Sequence, residues 1–222
     1  MVDERLLDNS VLFLAAGMPR SASTWLYNAA RLILCSSPLT ERDFSCGFID
    51  DWDQIPPRKY MLIKMHTYDP AYVERAHRIV YSYRDIRDVM ASNYRKFGFK
   101  PSMETADFLL RQHEQWISAA RYVMRYETML EGKEEVIAQV AHALDMEGIN
   151  PRAFAVELDA LQYENPGPKN ENYHRINLYH RGHITDGRHG SWKDIIDKSL
   201  LDRIVDKYRD WFSQNGYSTD DS

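Results

Sequence analysis

The stretch VLFLAAGMPRSASTWLYN, residues 11–28, decides the fold. Val11–Ala16 is a short, continuous apolar run of the kind found in buried strands, and Thr24–Leu34 continues as a helix. A strand that passes through a short loop into a helix is the arrangement of the phosphate-binding loops of nucleotide-binding proteins. This stretch therefore predicts an α/β protein with an anion site at the end of its first strand.

The loop departs from the triphosphate-binding type at two positions. That type reads G-x-x-x-x-G-K-[ST], and Gly17 and Thr24 match its first and last positions. Ala22 stands at the second glycine and Ser23 at the lysine, while the only cation of the loop is Arg20, three positions earlier. Because the missing lysine contacts the β- and γ-phosphates of a triphosphate, the loop favours a ligand with a single 5′-phosphate group.

Two interpretations of this loop are open. In an ordinary strand–helix turn, Ser21 would cap the helix N-terminus. Alternatively, the free N–H groups of that N-terminus bind an anion, and Ser23 and Thr24 add hydroxyl donors beside Arg20. Four hydroxyl or cationic side chains among five residues exceed what capping requires, so the pattern favours anion binding.

Composition excludes several classes of partner. The chain has 222 residues and a formal charge of −5, which argues against a general nucleic-acid or anionic-membrane binder. Cys35 and Cys46 form neither a C-x-x-C pair nor a metal-ligand set, so reduced, buried thiols are expected. MVDERLLDNS (1–10) is unlike a signal peptide, and no apolar run approaches the roughly 20 residues of a membrane span. We expect a cytoplasmic protein without a nucleic-acid or membrane partner; the oligomeric state is left open.

Strand and helix patterns alternate along the chain, which is typical of a parallel sheet flanked by helices on both faces. We expect a single domain over residues 1–222, with a P-loop NTPase-like core at 11–195 and an amphipathic C-terminal helix at 198–215. Further strands are predicted at 59–66, 77–85 and 122–127, and further helices at 85–98, 103–120 and 133–144. The helix at 103–120 is predicted to bury a stripe of Phe108, Leu109, Trp116 and Ile117.

The loop resembles that of the sulfotransferases that use 3′-phosphoadenosine-5′-phosphosulfate (PAPS). Their 5′-phosphosulfate loop reads P-[KR]-S/T-G-T/S-T-W/L, and PRSASTW (19–25) is similar to it. Arg20 occupies the cation position, and Ala22 replaces the usual glycine. The resemblance implies that the cofactor is bound here by Arg20, Ser21, Ala22, Ser23, Thr24 and Trp25.

A second motif supports the same family. Its 3′-phosphate site is a strand ending in Arg, followed eight residues later by a Ser in the next helix. IVYSYR (79–84) is such a strand, and Ser92 follows at that spacing. A forked guanidinium from Arg84 and a hydroxyl from Ser92 would hold one phosphate. The alternative is that Arg84 pairs with Asp85 or Asp88 and that Ser92 faces solvent; beside the first motif, the phosphate site is favoured.

The segment LIKMH (62–66) resembles the family's strand-end K-x-H, here Lys64 and His66. Attack of an acceptor hydroxyl on sulfur requires a base, and imidazole accepts a proton at neutral pH. The resemblance implies that His66 is this base and that Lys64 holds the acceptor oxygen or the sulfuryl group. Two alternatives are open: His66 binds only a backbone carbonyl at the strand end, or a carboxylate is the base.

Two looser matches complete the resemblance. RYETM (125–129) is similar to the family's Y-E-D-[LM], whose Tyr contacts adenine, which implies this role for Tyr126, with Trp25 as a stacking face. Both aromatic residues are alternatively core residues.

DGRHGSWKD (186–194) resembles the segment R-K-G-x-x-G-x-W that covers the 3′-phosphate. The Arg-Lys pair of that pattern falls on Thr185 and Asp186, so either Arg188 and His189 replace it or the loop has another register. The residues implied to bind the cofactor here are Gly187, Arg188 and His189.

The resemblance implies in-line transfer of a sulfuryl group from PAPS to an acceptor hydroxyl or amine, without a metal ion. Arg20, Lys64 and His66 are the implied catalytic residues, and Arg20 would stabilise charge on the bridging oxygen. One alternative is a degenerate P-loop kinase or NTPase, with Asp85 as its Mg²⁺ ligand. Another is a non-catalytic nucleotide-binding module, which would tolerate loss of His66.

The acceptor is predicted to be a small molecule of unspecified class. Its pocket is expected to involve the segments 36–58 and 163–182, which combine acidic and aromatic residues. The family's dimerisation motif, K-x-x-x-T-V-x-x-x-E, is absent from KSLLDRIVDKYRD (198–210), so that dimer is not expected. The acidic and aromatic candidates are Glu41, Asp43, Asp50, Asp51, Asp53, Phe44, Phe48, Trp52, Tyr163, Tyr173 and Tyr179.

Overall fold

The computed structural model describes residues 10–38, 41–183 and 187–219. Its centre is a sheet of β1 (Val11–Gly17), β2 (Phe44–Phe48), β3 (Tyr60–Met65), β4 (Ala76–Tyr83) and β5 (Tyr122–Arg125). The strands are all parallel and lie in the order β2-β3-β1-β4-β5. The predicted α/β fold with a central parallel sheet flanked by helices is therefore confirmed.

The helices follow local signals in the sequence. Asp85 caps the helix after β4 by accepting a hydrogen bond from Arg87 N at 2.9 Å, and Gly98 ends that helix with a φ of 74°. In the described ranges no helix is both long and apolar enough to cross a bilayer. The helices are α1 (Ser23–Ser36), α2 (Pro70–Val73), α3 (Ile86–Phe97), α4 (Met103–Ala119), α5 (Tyr126–Glu131), α6 (Lys133–Ala143), α7 (Pro151–Asp159) and α8 (Lys198–Gln214).

The core lies on both faces of the sheet because successive side chains of β1 alternate between them. Phe13 and Ala15 pack on one face, beneath α1, α6 and α7. Leu14 and Ala16 pack on the other face, beneath α3, α4 and α8. Both faces of β1 are therefore covered, which explains why its sequence is continuously apolar.

Three details differ from the sequence pattern. The strand β2 lies within 36–58, where no strand is predicted; it is short, at the sheet edge, and contains Gly47. The pattern also predicts no helix where α2, α5 and α7 are found, and α5 begins at Tyr126, within the strand predicted at 122–127. In α4, Phe108 and Ile117 are 44% and 43% exposed, so their predicted burial is wrong. The buried stripe of α4 is instead Ala106, Leu109, Leu110, His113 and Trp116.

Candidate active site

The loop after β1 is packed tightly against β4. Met18 N donates to Ser82 O at 2.9 Å, and a Cβ added to Gly17 would lie 2.6 Å from Ser23 Cβ and would overlap Ser82 Oγ. Only glycine fits at this first position of the loop. Farther along, Arg20 and Ala22 have left-handed backbones, with φ of 63° and 60°. Glycine adopts this conformation without the steric cost that a Cβ adds at Ala22.

Ser21 does not cap α1. The cap position is Ala22, and it makes no side-chain cap hydrogen bond. Ser21 Oγ instead donates to Met18 O at 2.7 Å and lies 2.8 Å from Ser82 Oγ, fully buried. The capping interpretation is wrong, and the N-terminus of α1 remains available to an anion.

Arg20 connects the loop to two distant parts of the chain. Its Nε donates to Ser92 Oγ at 3.0 Å, and its Nη2 donates to His183 O at 2.9 Å. Burial and the neighbouring Arg84 lower the pKa of Arg20. The interpretation in which Ser92 faces solvent is wrong, because only 3% of this residue is exposed. The two predicted phosphate motifs therefore meet at the contact between Arg20 and Ser92.

Arg84 is buried at the carboxyl end of β4. Its guanidinium lies 4.2 Å from the centre of the Tyr126 ring and donates to Arg20 O at 3.3 Å and Arg188 O at 2.5 Å. It also pairs with Asp88 at 3.5 Å, as the alternative interpretation predicts. Its buried Nε has no hydrogen-bond partner among the described residues. Of its five N–H donors, the Nε–H is thus left without a protein partner in the described part of the chain.

Asp88 holds the segment that follows Gly187. Its carboxylate accepts hydrogen bonds from Gly190 N at 2.8 Å, Ser191 Oγ at 3.2 Å and Trp192 N at 3.1 Å. Tyr126 Oη donates to Gly187 O at 2.8 Å. The segment therefore lies beside Arg84, as the resemblance implies, but Thr185 and Asp186 lie outside the described residues.

Lys64 and His66 contact each other at the end of β3. His66 Nδ1 lies 2.6 Å from Gly17 O, and its Nε2 lies 2.9 Å from Lys64 Nζ. Because a carbonyl only accepts, Nδ1 carries the proton and Nε2 presents its lone pair to Lys64. Burial lowers the pKa of Lys64 to about 7, and burial together with Lys64 lowers the pKa of His66 to about 3. His66 is therefore a neutral imidazole at neutral pH.

These groups surround one cavity of about 570 Å³ at the carboxyl edge of the sheet. Trp25 lines it and has a buried Nε1 without a hydrogen-bond partner among the described residues. Ser21, Arg188 and His189 do not line it. The predicted site residues that do are Arg20, Ala22, Ser23, Thr24, Trp25, Lys64, His66, Arg84, Ser92, Tyr126 and Gly187.

The predicted acceptor segments contribute only in part. Phe48, Tyr173 and Tyr179 line the cavity, and the Phe48 ring meets His66 edge-on at 5.7 Å. The other predicted aromatic residues do not line it, and neither do Asp43, Asp50, Asp51 and Asp53. Trp52, for example, packs on Tyr72.

Sequence reasoning missed two groups of residues. The sequence pattern suggests Asp88 only as a partner of Arg84, although it also holds residues 190–192. His180 and His183 line the cavity, but the only sequence signal for them is the His- and Asn-rich composition of 163–192. Neither role follows from local spacing.

Asp85, the Mg²⁺ ligand of the kinase alternative, is engaged elsewhere. Its carboxylate pairs with Arg87 at 2.7 Å and does not line the cavity. The guanidinium of Arg87 in turn lies 4.3 Å from the Trp192 ring and 4.4 Å from the Phe212 ring. Asp85 therefore belongs to a buried contact between α3 and α8.

No family model matches the sequence, and no curated protein matches it. Solved structures do match. One is a mouse sulfotransferase, SULT7A1, complexed with PAP: the TM-score is 0.65 at 16% identity, over 97% of this chain and 92% of that chain. Two others are retinol dehydratase with PAP and either retinol or androsterone. Both have a TM-score of 0.57 at 14% identity. The match to the retinol complex covers 92% of this chain and 81% of that chain, and the match to the androsterone complex covers 94% and 83%. The chain therefore has the fold of the sulfotransferases.

Proposed function

We propose that this protein is a PAPS-dependent sulfotransferase that moves a sulfuryl group to an acceptor hydroxyl or amine. The observation that carries the proposal is the convergence of Arg20, Arg84, Lys64, a neutral imidazole and an uncapped helix N-terminus on one cavity. Similar structures are described as complexes with PAP, the product that PAPS leaves after transfer.

The residues present fit such a donor. The N-terminus of α1, with Ser23 and Thr24, would hold the 5′-phosphosulfate, as helix N-termini hold phosphate groups. The unpartnered Nε of Arg84, together with Ser92, would hold the 3′-phosphate. The unpartnered Nε1 of Trp25 leaves a donor for the nucleotide.

Three of the other predicted cofactor residues contact these groups. Ser21 fixes the loop through Met18 O, and Arg188 orients Arg84 through its carbonyl group. Tyr126 lies against the Arg84 guanidinium at 4.2 Å. Gly187 is the member of the 187–189 segment that lines the cavity, whereas His189 lies outside it.

Transfer moves the sulfuryl group from the phosphosulfate oxygen to the acceptor oxygen, and the acceptor proton must leave. We assign this proton to His66 Nε2, which becomes accessible when Lys64 turns to the sulfuryl oxygens. Gly17 O then stabilises the protonated ring through Nδ1–H. Arg20 stabilises negative charge on the oxygen that the sulfuryl group leaves, as a preorganised donor.

The two alternatives differ from this proposal in their ligands and residues. A degenerate kinase or NTPase would bind ATP with Mg²⁺, but the pairing of Asp85 with Arg87 removes its candidate ligand. A non-catalytic nucleotide-binding module would keep the loop and Arg84 and would not need His66. No observation favours either one.

Calorimetric titration without Mg²⁺ tests the proposal. We expect 3′,5′-adenosine bisphosphate to bind and ATP to bind far more weakly. Arg84→Ala should weaken the bisphosphate roughly ten- to a hundredfold and leave 5′-AMP nearly unchanged, because a charge-assisted contact to the 3′-phosphate is lost. Equal losses for both nucleotides would exclude the 3′-phosphate assignment.

A variant of His66 then distinguishes an effect on catalysis from an effect on nucleotide binding. His66→Ala should bind the bisphosphate like the wild type but slow sulfuryl transfer by about 10²–10⁴, as expected for loss of a general base. Retained transfer would show that another group is the base.

A further inference from the structure

The turn that joins α3 to α4 is rich in aromatic and basic residues. Its sequence, YRKFGFK (94–100), contains three aromatic rings and three cations. Tyr94, Phe97 and Phe99 are 41%, 53% and 67% exposed. The rings of Phe97 and Phe99 contact each other with their centres 5.7 Å apart, and Tyr94 shares a helix face with Phe97, three residues later. The exposed aromatic residues therefore form one patch rather than isolated positions.

This turn projects from the molecule. Gly98 ends α3 with a φ of 74°, and a Cβ added to it would meet no described atom within 4 Å. Every residue from Phe97 to Lys100 is exposed. The two phenylalanine rings thus lie on a convex turn and not in a groove, although Phe97 also reaches the rim of the cavity.

The cations around the turn come from two segments. Lys96 Nζ donates to Arg181 O and Gly182 O at 3.0 Å, so residues 176–183, which form one wall of the cavity, lie beside α3. Carbonyl groups orient the ammonium group without neutralising its charge. The exposed residues Lys100 and Arg181 add two further cations. The α3–α4 surface is defined by Tyr94, Lys96, Phe97, Phe99, Lys100 and Arg181.

Carboxylates do not balance these cations within the two segments. Residues 89–103 and 176–183 contain no Asp or Glu, although the whole chain has a formal charge of −5. Asp88, the acid that precedes the first segment, is buried and pairs with Arg84 at 3.5 Å. Glu104, the acid that follows it, interacts with Arg203 of α8. The α3–α4 surface is therefore a local basic region on an acidic protein.

We propose that the α3–α4 surface docks on an anionic lipid bilayer, with Phe97 and Phe99 in the interface and the three cations at the headgroups. Aromatic rings favour the boundary between headgroups and acyl chains, and Lys and Arg are attracted to anionic lipids. Polypeptide partners are commonly received in grooves or on sheet edges, and a convex turn is neither.

This inference does not depend on the proposed function. It differs from the expectation that the protein has no membrane partner, which rests on the charge of the whole chain. That sum does not describe a surface on which cations and exposed aromatic rings are concentrated.

The test is sedimentation of the full chain with lipid vesicles, without nucleotide, so that no bound phosphate adds charge near the surface. The vesicles are phosphatidylcholine alone or phosphatidylcholine with about 30% phosphatidylserine. We expect the wild type to bind the phosphatidylserine vesicles roughly tenfold or more tightly than the others. Raising the salt concentration from ~0.1 to ~0.5 M should remove most of this difference, because exposed charges are screened.

Two variants separate the aromatic from the basic contribution. Phe99→Ser should weaken binding to phosphatidylserine vesicles roughly tenfold, because less apolar area leaves water. Lys100→Glu should also weaken it roughly tenfold, but should leave binding to phosphatidylcholine unchanged.

Each variant has a matched control that should bind like the wild type. Ile117→Ser replaces a side chain that is 43% exposed, at the end of α4 that leads into β5. Lys59→Glu makes the same charge change just before β3. All four variants replace residues that are not fully buried, and urea denaturation should show wild-type stability in each.

Several results would overturn the inference. One is that the wild type does not bind phosphatidylserine vesicles, and another is that the controls lose as much binding as the variants. If Lys100→Glu lost binding and Phe99→Ser did not, the surface would bind polyanions by charge alone. If the wild type associated with itself without lipid and Phe99→Ser did not, a second copy of the chain would cover the surface instead. The nucleotide titration tests the proposed function separately.

Discussion

A single methyl group strains the loop after β1. Ala22 has a φ of 60°, a left-handed conformation that costs an L-residue about 1–2 kcal/mol, whereas glycine adopts it freely. Ala22→Gly should therefore raise the free energy of unfolding, by about 1 kcal/mol after the greater backbone entropy of glycine is counted. Urea denaturation measures it. Ala153→Gly, exposed in α7, is the control and should lower stability by roughly 0.5–1 kcal/mol. A lower free energy of unfolding in Ala22→Gly would contradict the strained conformation of Ala22.

The buried lysine of the site makes stability depend on pH. Burial lowers the pKa of Lys64 from 10.5 to about 7. Between these values the unfolded chain binds the proton and the native protein does not, so this residue makes stability rise with pH. From pH ~7 to ~9.5, the wild type should gain up to about 1.4 kcal/mol per pH unit relative to Lys64→Met. Denaturation at several pH values measures this gain.

The control for that experiment is Lys59→Met, because Lys59 is exposed just before β3. It should follow the wild-type pH dependence. If the stability of the wild type and of Lys64→Met changed equally with pH, Lys64 would have an ordinary pKa and would not be desolvated by burial.

At the scale of the element, α3 positions two of the segments that form the cavity. Asp88, Ser92 and Arg95 recur at helical spacing and so share one face. Asp88 and Arg95 both hold Ser191, the latter through Ser191 O at 2.6 Å, while Ser92 contacts Arg20 at 3.0 Å. One helix face thus positions both the loop after β1 and the segment beginning at Gly187.

Loss of the Asp88 carboxylate should disrupt this arrangement. This carboxylate is fully buried. Its removal leaves Gly190 N, Ser191 Oγ and Trp192 N without their acceptor and Arg84 without its ion-pair partner. Asp88→Ala should destabilise the protein by about 3–5 kcal/mol, and bisphosphate affinity should fall because Arg84 loses its orientation. Denaturation and calorimetry measure the two effects.

The matched control is Asp202→Ala, which removes an exposed carboxylate paired with Lys198 within α8. Exposed pairs contribute little, so neither stability nor nucleotide affinity should change measurably. If Asp88→Ala behaved like this control, the segment after Gly187 would be held by other contacts.

At the scale of the whole molecule, the cavity exists because three strands end together. The carboxyl ends of β1, β3 and β4 bring Gly17, Lys64, His66 and Arg84 to one edge of the sheet. Parallel α/β sheets bind ligands at this edge because loops and helix N-termini gather there. A nucleotide in the cavity would link α1, β4 and the 176–183 wall.

Such a ligand should stabilise the entire fold. Binding to the native state alone adds about 2.7 kcal/mol at a ligand concentration of a hundred times Kd. For a protein of this size, that corresponds to a rise in Tm of roughly 5–10 °C. We expect this rise with 3′,5′-adenosine bisphosphate in a thermal-shift experiment and a much smaller one with 5′-AMP at equal concentration. Equal shifts would contradict recognition of the 3′-phosphate.

Local patterns were enough for four of the five strands and for the helices α1, α3, α4, α6 and α8. The apolar run before Gly17 and the spacing of Arg84 and Ser92 are local patterns, so they can be recognised in the sequence without the tertiary structure. The edge strand β2 was missed because short edge strands have weak patterns, and Ile117 was misplaced because the burial of α4 depends on which helices cover it.

The sequence by itself determined the alternation of strand and helix, the loop after β1 and the basic residues at the strand ends, because hydrophobic period and short-range spacing are local properties. Only the tertiary structure decided that Ser21 faces inward, that Lys64 and Gly17 O share the His66 ring, and that His183 reaches the cavity. Arg20 and His183 are 163 positions apart, and contacts over such separations arise from packing of the whole chain rather than from any local preference.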